Sequence, residues 1–193
     1  MTHKFDPSNF HKLENPERYQ ELPPEKTLRS LGLRKNKTAL DIGAGTGFFT
    51  FAMSKITGEE GKIYATDISE VMIKEIERKI SEKGISNIIT KLSSESEINI
   101  EEKVDFILIS FVLHEFDEAE HFLTKIFERQ KEGGTIAVIE WKKKETPKGP
   151  PLSHRLSEDE CAKVIHQAGW ANIELIDLHE NFYAIRAIKL INT

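Results

Sequence analysis

At 193 residues, 38% hydrophobic and 31% charged, the chain has the size and composition of one globular α/β domain able to bury a substantial core, not of a disordered or membrane-embedded protein. The 27 basic and 32 acidic residues leave a net charge of −5 with no long basic run, which argues against nucleic acid as substrate or partner. A single cysteine, Cys161, excludes an internal disulfide and a cysteine-rich metal site.

Along the chain, residues 1–27 are polar, with aromatics at Phe5, Phe10 and Tyr19 and prolines at 7, 16, 23 and 24. They read as an N-terminal arm or lid, with 28–193 as the main domain. From there strand-like runs at 38–42, 62–66, 87–92, 104–110, 135–141, 172–178 and 182–190 alternate with amphipathic helices, a pattern that predicts a largely parallel sheet covered on both faces. The run Phe48 to Met53 predicts a first helix after the first strand. Ser69 caps a second, in which Met72, Ile73, Ile76 and Ile80 share a face up to Gly84. Phe122, Leu123, Ile126 and Phe127 mark a third, closed by Gly133-Gly134. Ser157-Glu158-Asp159-Glu160 is a capping-box signature for a fourth, which Gly169 stops. Only His179-Glu180-Asn181 separates the last two strands, too short for a helical crossover, so they pair as an antiparallel hairpin. Residues 145–156 form a long proline-rich loop, a kind of segment that is usually functional or disordered. No apolar stretch reaches membrane-spanning length and no signal-peptide core is visible at the N-terminus, so a cytoplasmic protein is expected.

The most specific segment is Asp41-Ile42-Gly43-Ala44-Gly45-Thr46-Gly47. Glycines at alternate positions after a strand let the backbone turn tightly and approach a ligand, and the following helix presents its N-terminal amides to it. A dinucleotide loop reads G-x-G-x-x-G; here the third glycine comes one residue early and an acid precedes the first. The segment Ala39 to Gly47 resembles motif I of the class I S-adenosylmethionine-dependent methyltransferases, and the chain is most similar to the methyltransferase type 11 and menaquinone/ubiquinone-biosynthesis group. The resemblance implies a doubly wound, Rossmann-like, seven-stranded, mostly parallel sheet of order 3-2-1-4-5-7-6 with its last strand antiparallel. It implies S-adenosyl-L-methionine as cofactor, S-adenosyl-L-homocysteine as product and a small-molecule methyl acceptor.

Asp41, Gly43, Ala44, Gly45 and Gly47 are then expected at the cofactor. Asp67, ending the second strand, has the chemistry to accept from both ribose hydroxyls, and Ile68 and Met72 offer apolar surface to the adenine. After the third strand the quinone-type enzymes often carry Gly-Asp-Ala; here Ser93-Ser94-Glu95-Ser96 stands instead, with Ser94 and Glu95 as adenine acceptors. The resemblance also places Ser110 and Phe111 beside the cofactor.

Methyl transfer from a sulfonium chiefly needs alignment and exclusion of water, with a general base where the acceptor arrives protonated. His114 and His154 are the candidate bases, with Glu140 a weaker one. Glu140 and Trp141 end the fifth strand, where they would shape the acceptor site. Arg155 has the fork geometry to grip an anionic acceptor, and Tyr19 with Arg18 would touch the methionine end or the acceptor from the arm. The seven histidines are scattered without ligand spacing, so no metal is expected. An NAD-dependent oxidoreductase is the rival; the glycine spacing disfavours it, as does the lack of a Tyr-x-x-x-Lys or similar hydride-transfer pair. A non-catalytic cofactor-binding protein of the same fold also stays open. No motif specifies the acceptor atom or an oligomeric state.

Overall fold

Strands covered on both faces must be apolar on both, and this is why the central strands are nearly continuous in buried residues. In the computed structural model, which describes residues 15–94, 97, 98 and 100–191, β1 (Thr38–Ile42), β2 (Lys62–Asp67), β3 (Ile88–Leu92), β4 (Val104–Ser110), β5 (Gln130–Trp141), β6 (Ala171–Asp177) and β7 (Phe182–Ile188) form one sheet of order 3-2-1-4-5-7-6. The first five run parallel, and β7 lies antiparallel between β5 and β6. The order and the hairpin are those expected.

The period of two along each strand divides the core between two faces. Ala39, Phe106, Leu108, Ala137 and Ile139 pack with Leu28, Phe49, Met53 and Ile56 on one side. Leu40, Ile42, Ile107, Ile109 and Val138 pack with Leu123, Ile126, Ile165 and Trp170 on the other. The helices supplying these layers include α2 (Pro24–Ser30), α3 (Thr50–Thr57), α5 (Ala119–Glu128) and α6 (Glu158–Gln167). The capping box of α6 is present, with Ser157 and Glu160 satisfying each other's backbone amides. Ser69 caps α4 (Glu70–Lys83), and Gly84 ends it in the left-handed conformation.

Three expectations need correction. The polar start of the chain is helical from Pro16: α1 (Pro16–Glu21) and α2 each place proline at the first helical positions, where its missing N–H leaves no hydrogen bond unmade. Leu22 and Leu28 are buried in the shared core, and the expected boundary at residue 28 falls inside α2. Next, α3 starts at Thr50, two residues into the run Phe48 to Met53 that suggested it. Finally, Gly133-Gly134 do not close α5, which ends at Glu128 with Arg129 as its C-cap. They lie within β5, where the pairing jumps from Val104↔Gln130 to Phe106↔Thr135. Gly133, at φ 74°, is one of the residues within this irregularity, and its N–H and the Gly134 carbonyl pair with the backbone of Lys189. A strand bulge and a helix stop both call for glycine, and sequence alone does not separate them.

Among the described residues no helix is long and apolar enough to cross a membrane, and no group of histidine, cysteine, aspartate and glutamate could hold a metal ion.

Candidate active site

The carboxyl ends of β1, β2 and β4 meet at one edge of the sheet, where open α/β folds bind ligands. The turn from β1 to α3 holds Gly43, Gly45 and Gly47 at φ 67°, 54° and 91°, all in the region that favours glycine. A Cβ on Gly43 would lie 2.5 Å from Cγ2 of Val112, and one on Gly47 would lie 2.5 Å from the Phe51 ring. The space these two glycines free is therefore occupied by protein side chains rather than reserved for a ligand. The turn is tied to β2: Ala44 N–H donates to the Thr66 carbonyl (2.9 Å), and Gly45 N–H to Oδ2 of Asp67 (2.9 Å). The other oxygen of Asp67 accepts from Ser69 N–H (2.8 Å). Burial raises the Asp67 pKa, and these backbone amides oppose the rise.

Asp41 is 1% exposed. Its Oδ2 accepts from Thr50 Oγ1 at 2.6 Å, while Oδ1 is buried with no hydrogen-bond partner. Burial pushes the carboxyl up to about 7, the Thr50 bond opposing, Asp67 adding and the Arg18 guanidinium opposing. An unsatisfied buried carboxylate oxygen is costly and marks a position awaiting a donor.

These groups open onto a cavity of about 800 Å³, within the range of small-molecule sites. Of the expected cofactor residues, Asp41, Gly43, Ala44, Gly45, Asp67, Ile68, Met72, Ser94, Ser110 and Phe111 line it. Gly47 does not; it serves the packing of α3. Glu95 lies outside the described residues. Ile68 is 51% exposed although apolar, an open hydrophobic surface beside Asp67. Phe111 follows β4 at φ 58°, a strained conformation for a bulky residue that costs about 1–3 kcal/mol. Its N–H is held by the Ile139 carbonyl, and its ring packs edge-on against Phe182 (5.2 Å) and tilted towards Trp141 (6.0 Å).

On the acceptor side, His114 and Trp141 line the cavity; Glu140, Arg155, His154 and Tyr19 do not. Glu140 sits behind His114, bound to its ring. Arg155 is spent on the proline-rich loop, donating to the carbonyls of Pro150, Lys142, Lys144 and Lys148 and to Thr146 Oγ1. Its guanidinium also stands 5.2 Å from the Trp141 ring, so it clasps this loop rather than gripping a ligand. His154 lies in the 3-10 turn Leu152–His154 of the same segment. Tyr19 is half exposed and leans on Phe48 at 4.8 Å. Its neighbour Arg18 faces the cavity, 4.1 Å over the Phe48 ring and 5.4 Å from Phe111. Burial lowers its guanidinium to about 10, the charges of Tyr19 and Asp41 opposing, and it stays cationic at neutral pH.

Sequence reasoning missed several wall residues. Phe48 and Phe49 were counted only as helix packing. Phe116 and Phe122, whose rings stack at 4.0 Å, and Phe182 carry no motif. Gly149-Pro150-Pro151 was visible as a Gly-Pro-Pro signal in the long loop. Gly149, at φ 101°, lies so close to Trp141 that a Cβ would fall 2.8 Å from the indole. Lys148 of this loop pairs with Glu17 of α1 at 2.5 Å, so the two segments outside the sheet meet at the cavity.

Comparison with known proteins gives the same direction. The model of the ubiE/COQ5 methyltransferase family matches residues 19–152. A ubiquinone/menaquinone biosynthesis C-methyltransferase UbiE from Yersinia enterocolitica is 33% identical over 129 residues, covering 66% of this chain and 50% of that protein. The chain thus matches about half the length of this curated relative. A crystal structure of a SAM-dependent methyltransferase from Aquifex aeolicus superposes with a TM-score of 0.91 at 35% identity, covering 97% of this chain and all of that one (100%). The cyclase SpnF superposes at 0.73 with 14% identity over 87% of this chain and 81% of that one, a likeness of fold alone.

Proposed function

The chain belongs to the ubiE/COQ5 methyltransferase family, and from that premise we propose that it transfers a methyl group from S-adenosyl-L-methionine to a small-molecule acceptor held in the cavity. The observation that carries the cofactor assignment is the buried, partnerless Oδ1 of Asp41 beside the glycine turn. An α-ammonium group satisfies that oxygen and stabilises its charge. The pyrophosphate of a dinucleotide would instead bring negative charge towards a buried carboxylate.

In this reading Asp41 holds the ammonium and Arg18 the carboxylate of the methionine end, as a charge-assisted pair. Asp67, each oxygen of which already holds one backbone amide, accepts from the ribose hydroxyls with its remaining lone pairs. Ile68 and Met72 pack on the adenine, and Ser94 accepts near its edge. The cofactor supplies a methyl group activated by its sulfonium leaving group. The protein contributes alignment and a water-poor pocket. The aromatic wall of Phe111, Trp141 and Phe182 suits a flat, apolar acceptor. That agrees with the quinone pathway for which the Yersinia relative is named.

Calorimetric titration with S-adenosylhomocysteine and with NADH, on wild type and Asp67→Ala, tests the assignment. The expected result is saturable binding of S-adenosylhomocysteine, weakened at least tenfold in the variant (about 1.4 kcal/mol), and none of NADH. Binding of NADH alone would overturn it.

A further inference from the structure

We propose that His114 and Glu140 act as one proton-accepting unit, with His114 the catalytic base and Glu140 the positioning residue that fixes its ring. The proposal rests on the methyltransferase reading above and adds the chemistry of the acceptor: it arrives carrying an ionisable X–H group and leaves without that proton.

The pair is built by the meeting of two strand ends. β4 and β5 run side by side, with Ser110 opposite Ile139. Glu140, one residue on, therefore lies beside the 3-10 turn Leu113–Glu115 that follows β4. Oε2 of Glu140 is 2.8 Å from Nδ1 of His114, and Oε1 accepts the His114 backbone N–H at 3.2 Å. One carboxylate thus grips both the ring and the backbone that carries it. The side chains are 5% and 1% exposed, and a carboxylate this deep persists only if paired.

Nδ1–H donating to Glu140 leaves the lone pair of the neutral ring on Nε2. That nitrogen has no partner among the described residues, and His114 lines the cavity. The arrangement has the logic of a base oriented by a buried carboxylate. Burial disfavours charge on the ring, but the Glu140 hydrogen bond, its charge and that of neighbouring Glu115 outweigh burial and the opposing Arg155, so the pKa lies above the ordinary histidine value. An imidazolium formed here is stabilised in place. As the acceptor's X–H bond gives its proton to Nε2, the electron pair left on the acceptor forms the bond to the methyl carbon. The methyl–sulfur pair departs with sulfur, and the imidazolium later returns its proton to solvent.

The test follows the ring nitrogens of 15N-histidine-labelled protein saturated with S-adenosylhomocysteine as pH is raised, with His114→Gln assigning the resonance. The expected His114 signal titrates above the free-imidazole value and, when neutral, carries its proton on Nδ1. Glu140→Gln moves the midpoint to lower pH. A neutral Nε2–H tautomer, or a midpoint that Glu140→Gln leaves unmoved, would overturn the proposal. For any compound of a hydroxylated acceptor panel that the wild type methylates, His114→Gln should lower kcat about 100-fold or more, with S-adenosylhomocysteine affinity kept. Glu140→Gln should move the acid limb of the rate profile to lower pH. An unchanged rate in His114→Gln would also refute the base. Loss of S-adenosylhomocysteine binding by the wild type would instead sink the cofactor reading, independently of the tautomer.

Discussion

Replacing Asp41 by asparagine should remove this side chain's share of the pH dependence of stability, so that the order of stability of the two proteins reverses with pH. The carboxyl ordinarily titrates near 3.8 and is pushed up to about 7 in the folded protein, first by burial. A carboxyl raised in this way is stabilising while protonated, at pH values below its unfolded pKa, and that contribution is lost as pH rises through about 7. At 1.36 kcal/mol for each pKa unit the loss is about 4 kcal/mol. Asparagine cannot titrate. It also leaves an amide N–H without a partner where Oδ1 now sits, which costs about 1–3 kcal/mol. The variant should therefore be less stable than wild type near about pH 4 and more stable near about pH 8. For a chain of this size each kcal/mol moves Tm by about 2–4 °C, so the difference between the two proteins should change by on the order of 10 °C across that range. Thermal unfolding followed by circular dichroism along a pH series is the assay. Parallel curves for the two proteins would refute the reasoning. Because a bound ammonium favours the ionised carboxylate, wild-type affinity for S-adenosylhomocysteine should also strengthen as pH rises towards about 8, a dependence the variant lacks.

Gly43→Ala forces a left-handed backbone at about 1–2 kcal/mol and drives its Cβ into Val112 at about 1–3 kcal/mol more. In a double-mutant cycle with Val112→Ala, the second part should return as coupling of about 1 kcal/mol or more, and zero coupling would contradict the contact. Arg155→Lys loses the fork that serves several carbonyls of the loop after β5. Tryptic cleavage within 142–148 should accelerate, whereas an unchanged digestion rate would show that the clasp does not hold the loop.

The parallel sheet and its antiparallel hairpin were legible because a parallel sheet leaves continuous apolar runs and because a three-residue link cannot carry a crossover. The family resemblance then supplied the permutation that periodicity cannot. The glycine turn and its two acids were legible for a similar reason: few other residues permit that backbone, and acids at strand ends are rare unless used. The acceptor side was harder to read. Glu140 and Arg155 looked like ligands of a substrate, because a charged side chain at a strand end or in a long loop carries the same letter whether it faces a cavity or a neighbour. Only the packing shows that one serves His114 and the other the loop. Phe116, Phe122 and Phe182 were invisible as wall residues for the converse reason, since an aromatic in a core pattern gives no sign that one of its faces is uncovered. Arg18 was noticed only beside Tyr19, and prolines in the segment read as an arm or lid are the ones that start α1 and α2.

A crystal structure of the protein with S-adenosylhomocysteine would test the central claim most directly. The account predicts the α-amino group on Asp41 Oδ1, the ribose on Asp67 and the adenine between Ile68 and Met72. Ligand density elsewhere, or a ribose turned away from Asp67 with Asp41 Oδ1 still without a donor, would contradict it.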